Sequence, residues 1–173
     1  MSNEPRIEHL DVVVGGITRS QLTSRLSERG ILLNAHAETL LEHAVFETRT
    51  AQTVAVTERT VAELGLPDGG SLSQILEAAQ QQNLLLCPAD TGPHLRLELI
   101  EQATSADSVM SSGRAPTGSL TVASAPLSDD DEYPKGFYLR VVDGEPWLRG
   151  YRCDDEHVWS SDDRFVFRVP ETE

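Results

Sequence analysis

The sequence predicts an α+β fold. A mostly antiparallel C-terminal sheet is covered by an amphipathic helix, and an N-terminal strand–helix–helix unit docks on it or forms its own small subdomain. Three observations predict this. Residues 137–152 alternate on both sides of Asp143-Gly144, and Asp-Gly is the strongest short-range hairpin signal because both central residues of a type I′ turn need φ > 0. Leu72, Ile75, Leu76 and Ala79 recur at helical spacing behind Ser71-Leu-Ser-Gln74, a capping box. Near the N-terminus, one short apolar run is followed by two segments that each begin with a helix-capping residue.

Taken in order, residues 9–14 read as a buried strand ended by Gly15-Gly16. Thr18-Arg-Ser-Gln21 is a capping box that opens a helix in which Leu22 and Leu26 stack one turn apart, and Gly30 sits where a C-cap belongs. Asn34 caps a second helix that turns Leu40, Leu41 and Ala44 inward. Residues 52–58 place Val54 and Val56 on one side of a strand. These elements make residues 1–59 a strand–helix–helix subdomain, and residues 60–173 an α+β domain. In the latter, Pro67-Asp-Gly-Gly70 is a turn and 71–82 a helix. Residues 94–99 alternate Leu95, Leu97 and Leu99 against Arg96 and Glu98, which fits a half-buried strand. Residues 102–118 are rich in Ser, Ala, Thr and Gly and read as an exposed loop. Residues 118–123, the hairpin and 164–169 complete the strands.

A chain of 173 residues with 39% hydrophobic and 24% charged residues is long enough for a true core and belongs to the globular class. Residues 1–59 hold six arginines against eight carboxylates, whereas the remainder holds eight basic against twenty acidic residues, so most of the net charge of −14 lies in the second part. A field of that sign repels a phosphate backbone and suits a basic partner, and it also keeps a small protein in solution. Cys87 and Cys153 are the only cysteines, too few for a disulfide framework, and no apolar run approaches bilayer length. A cytoplasmic protein with no membrane association is the expectation.

The hairpin register puts Val142 opposite Glu145, Arg140 opposite Trp147, Leu139 opposite Leu148 and Tyr138 opposite Arg149. One face then carries Phe137, Leu139, Val141 and Leu148. The other carries Tyr138, Arg140, Trp147, Arg149 and Tyr151, an arginine–aromatic ladder suited to cation–π pairing and to contact with a partner. The same ladder can simply stabilise a sheet, with arginine stems covering rings. Arg96 would add a guanidinium to it if the 94–99 strand lay alongside.

No catalytic constellation assembles. Asp90-Thr91-Gly92 matches the aspartic protease triplet, but it lies between Pro88 and Pro93 and has no second copy to supply the facing carboxylate. Cys87…His94 and Cys153…His157 have neither of the usual zinc spacings, so no metal is expected. Cys87 follows three leucines and Cys153 precedes three acids, settings that disfavour a thiolate. The carboxylate runs 129–132, 154–156 and 162–163 lack calcium-loop spacing and read as solvated turns. The first two helices could form a helix-turn-helix, but the second carries two acids and no Arg or Lys, which argues against binding of duplex DNA.

Leu86-Cys-Pro-Ala-Asp-Thr-Gly-Pro-His-Leu-Arg-Leu97, Gly136-Phe-Tyr-Leu-Arg140, Leu148-Arg-Gly-Tyr151, Val158-Trp159 and Asp162-Asp-Arg-Phe-Val-Phe167 resemble a family of small bacterial proteins without an assigned activity, whose members often carry the label helicase. Val12-Val-Val-Gly-Gly-Ile-Thr18 with Gly30-Ile-Leu-Leu-Asn34 resembles the N-terminal half of its longer members. The resemblance implies no catalytic residues. The helicase label fails on chemistry: the chain has one lysine, Lys135, and no Gly-x-x-x-x-Gly-Lys-Ser/Thr loop to cradle phosphates. These readings converge on a non-catalytic acidic binding or adaptor protein, of the immunity or antitoxin kind, that needs no cofactor. The alternatives are an enzyme or sensor that holds an anionic small ligand through Arg140, Arg149, Arg152 and Arg96, and a nucleic-acid-linked factor or DNA mimic.

Overall fold

In a computed structural model, residues 7–47, 50–99, 119–128, 130, 132–153 and 156–170 are described. The predicted loop 102–118 and much of the acidic runs 129–132 and 154–156 lie outside them. The elements are β1 (Leu10–Val14), α1 (Arg19–Glu28), β2 (Leu32–Leu33), α2 (Ala35–Leu41), β3 (Gln52–Thr60), α3 (Leu72–Gln81), α4 (Thr91–Glu98), β4 (Leu120–Val122), β5 (Gly136–Val142), β6 (Glu145–Tyr151) and β7 (Arg164–Arg168), with 3₁₀ turns at Ala44–Glu47 and Ala62–Leu64.

Local chemistry sets the helix boundaries. Thr18 Oγ1 accepts from the Gln21 N–H at 3.1 Å while the Thr18 N–H donates to Gln21 Oε1 at 2.9 Å. Ser71 and Gln74 repeat the exchange at 3.3 and 2.9 Å. Each such cap is worth about 1 kcal/mol. Gly30 takes φ +70° just past the Arg29 C-cap of α1, and its N–H and that of Ile31 satisfy the carbonyls of Ser27 and Leu26.

The seven strands form one sheet in the order β1-β3-β7-β4-β5-β6-β2. The expectation of a mostly antiparallel sheet is corrected: the sheet is mixed. β3 runs antiparallel to β1 and β7, and β5 to β4 and β6, but β4 is parallel to β7 and β2 is parallel to β6. The last strand, β7, returns to the middle of the sheet between β3 and β4, where no hairpin dictates its direction.

Strand alternation splits the core. Val166 of β7 joins Val12, Val14, Val54, Val56, Phe137, Leu139 and Leu148 on one face, where Leu22 and Leu26 of α1, Leu40 of α2 and Leu95 of α4 cover them. Phe165 and Phe167 point the other way, against Ile75 and Ala79 of α3, Leu84 and Trp159. The predicted amphipathic helix therefore covers one face, and three further helices cover the other. α4 touches β1 at one end of the sheet and β5 and β6 towards the other, so the sheet curls around it.

α4 replaces the half-buried strand expected at 94–99. Thr91 to Arg96 are all buried, so no polar stripe reveals a helical period. Pro93 sits in the first turn, where its missing N–H costs no helical bond. Gly92 allows the close approach, since a Cβ there would lie 2.7 Å from Phe137. The aspartic protease triplet is thus a helix start packed on the sheet, with Asp90 at the N-cap. Nor do the first two helices form a helix-turn-helix: β2 lies between them and pairs with β6, and α2 lies on β6. No helix among the described residues is long and apolar enough to cross a membrane.

Candidate functional site: the arginine–aromatic face of the hairpin

Asp143 at φ +51° and Gly144 at φ +81° form the turn that Asp-Gly predicts, and the register is as expected from it. Arg140 pairs with Trp147, Leu139 with Leu148, Tyr138 with Arg149 and Val142 with Glu145. The core face follows: Phe137, Leu139, Val141 and Leu148 are all buried.

On the opposite face, the Arg149 guanidinium lies 5.2 Å from the Trp147 ring centre and 5.7 Å from that of Tyr138. All three side chains are half-buried. The Nε of Arg149 has no hydrogen-bond partner among the described residues, so the two rings supply its nearest organised contacts. Burial pushes the Tyr138 hydroxyl above its ordinary value, and Arg149 and Arg140 pull it back. Tyr138 therefore presents a neutral phenol at neutral pH.

The ladder is not uniformly open. Arg140 is 1% exposed, and Tyr151 packs edge-on against Trp159 at 5.6 Å, where burial raises its hydroxyl pKa. Tyr151 is half-buried like Tyr138, Trp147 and Arg149, but its ring is held by Trp159, so the latter three form the part of the face whose rings and guanidinium meet one another. Arg96 does not join it. It lies on α4, which packs against the Phe137 side of β5, and the opposite side carries the ladder. Arg96 is itself fully buried, donates to the Leu99 carbonyl, and is lowered by burial to about 10, so it stays charged at neutral pH. Arg152 forms an exposed ion pair with Glu132 at 2.8 Å. Arg96 therefore lies apart on α4 and Arg152 is engaged by Glu132, whereas Arg140 and Arg149 stay together beside Tyr138.

The remaining candidates resolve simply. Cys87 is 3% exposed and burial pushes its thiol up to about 12, the opposite of what a nucleophile needs. Among the described residues no group of three or more His, Cys, Asp and Glu could hold a metal ion. Asn34 caps Ala37 as expected. Two features escaped the sequence. The first is that Asn34 also exchanges two hydrogen bonds with the Gly150 backbone, at 2.9 and 3.1 Å, tying α2 to β6. The second is a cleft of about 570 Å³ beside His94, between α1 and α4, which the strand assignment of 94–99 concealed.

No protein-family model, no curated protein and no solved structure matches this chain.

Proposed function

We propose that this chain is a non-catalytic binding or adaptor protein that engages a basic protein partner through the Tyr138–Trp147–Arg149 part of the hairpin face. The observation that carries the reading is the half-exposed Arg149 guanidinium set against the rings of Trp147 and Tyr138 on two neighbouring strands of the seven-stranded sheet. Trp, Tyr and Arg dominate binding energy at interfaces because they offer large, stiff contact area with directional charge. The net charge of −14 draws a basic partner towards the molecule, and the stacked arginine then supplies local specificity. An immunity or antitoxin role fits this chemistry, since it requires occlusion of a partner and no reaction.

The test separates binding from folding. Arg149→Ala and Trp147→Ala are made singly, and Tm and partner capture are both measured. The expected result is that capture falls by about thirtyfold or more, the size of an interface hot spot, with Tm lowered by only a few degrees. Capture retained in both variants would reject the face as a binding surface.

A further inference from the structure

The cleft between α1 and α4 is built from two helix faces of the same spacing. Arg25, Glu28 and Arg29 line it from α1 and its C-cap, and His94, Leu97 and Glu98 line it from α4. Both sets fall at i, i+3 and i+4, the positions that share one side of a helix. Its volume of about 570 Å³ is that of a small-molecule site. The floor is fixed: the Gly15 N–H donates to His94 Nε2 at 3.1 Å, which binds the end of β1 to α4. Burial, helped by Arg25, holds the imidazole below its ordinary pKa, so Nε2 remains an acceptor at neutral pH.

The charges are what distinguish this cleft. Two guanidiniums and two carboxylates line it, yet no ion pair or side-chain hydrogen bond joins Arg25, Glu28, Arg29 or Glu98 to any described residue. The helix macrodipole alone would account for arginines at the end of α1. It does not account for acids beside them and on the facing helix. Ile17, Ala51 and Leu97 supply apolar wall between the charged groups.

We propose that this cleft binds a small zwitterion with an apolar body, either a free apolar α-amino acid or a short peptide. Arg25 and Arg29 take the carboxylate, Glu98 with Glu28 takes the ammonium, and the apolar wall takes the side chain. A simple anion would meet both acids uncompensated, and a simple cation both arginines.

The full chain is titrated with L-leucine, L-phenylalanine and an alanyl-leucine dipeptide, followed by amide NMR shifts and calorimetry. The controls are 4-methylpentanoate, which is leucine without its ammonium, and isopentylamine, which lacks the carboxylate. The expected result is saturable shifts at Gly15, Gly16 and residues 94–98 with at least one zwitterion. Each single-charge control should bind about tenfold more weakly or less, a difference near 1.4 kcal/mol. An amino acid that binds better than the dipeptide marks a free metabolite site, and the reverse order marks a peptide site. Arg29→Ala and Glu98→Gln replace exposed side chains, so Tm should hold while affinity drops by a similar factor. The proposal is overturned if no zwitterion shifts these amides at about 10 mM, beyond the weakest affinities of interest. It is equally overturned if 4-methylpentanoate binds as well as leucine, or if Glu98→Gln leaves affinity unchanged.

Discussion

Single residues carry much of this architecture through what they omit or duplicate. Gly150 is required by contact: a Cβ there would sit 2.7 Å from the His36 carbonyl carbon and 2.8 Å from the Ala37 nitrogen. Neither backbone atom can yield without moving α2. Gly150→Ala should therefore destabilise the chain by about 1–3 kcal/mol, the usual scale of core overpacking. Asn34 acts from the other side, with one carbonyl oxygen accepting from both Ala37 and Gly150 and its amide donating to the Gly150 carbonyl. Asn34→Ala removes all three bonds and should cost about 2 kcal/mol, more than a cap alone. Chemical denaturation midpoints at constant m check both values. A neutral Gly150→Ala would mean that α2 does not press on β6.

At the scale of elements, what could be read from sequence depended on whether an element keeps a solvent face. α1 and α3 open with reciprocal caps and bury one stripe, and both were legible. So was the β5–β6 hairpin, register included, because one dipeptide dictates its geometry. α4 was not legible: with Thr91 to Arg96 all buried, its leucines alternate by accident and no polar side reveals the turn. Because 91–98 is a helix on the Phe137 side of β5, the condition under which Arg96 would join the ladder is not met, and a cleft opens at His94 that a strand there would not form. The parallel pairing of β7 with β4 was illegible for another reason, since it joins segments with no turn between them. The half-exposed ring–arginine stack was legible by type and face, while the burial of Arg140 depends on tertiary neighbours that alternation does not report. The hairpin supplies its own test. A Cβ on Gly144 meets nothing within 4 Å, so Gly144→Ala costs only backbone strain at φ +81°, about 1–2 kcal/mol. Asp143→Asn keeps a residue tolerant of φ > 0 and should leave Tm nearly unchanged. Equal losses from both variants would contradict a type I′ turn.

At the scale of the whole molecule, charge and curvature act together. The sheet curls around α4, and its closure at β1 uses the Gly15 N–H to His94 Nε2 bond. Protonation of His94 abolishes that acceptor. Burial and Arg25 lower the His94 pKa from 6.5 in the folded state, so the unfolded chain binds the proton more tightly. The resulting stability is present above pH 6.5 and is lost as pH falls from there through the lowered folded value. Arg25 and Glu28 on α1 and Glu98 on α4 line the same cleft. The difference in Tm between the wild type and His94→Gln should therefore shrink as pH is lowered from 7 to 5. A difference that stays constant would remove His94 from the pH response. The hairpin face and the His94 cleft lie in different parts of the molecule, so a variant in one can serve as a folding control for the other.

If the proposed function holds, the Tyr138–Trp147–Arg149 face touches a partner inside the cell. The most direct measurement is site-specific photo-crosslinking in the native cell, with a benzophenone side chain at position 138 and, as a control, at Glu77 on the exposed side of α3. The expected outcome is one dominant crosslinked protein of basic character from position 138, none of it from position 77, and its loss when Arg149→Ala is added. The same species from both positions, or one that persists with Arg149→Ala, would contradict it.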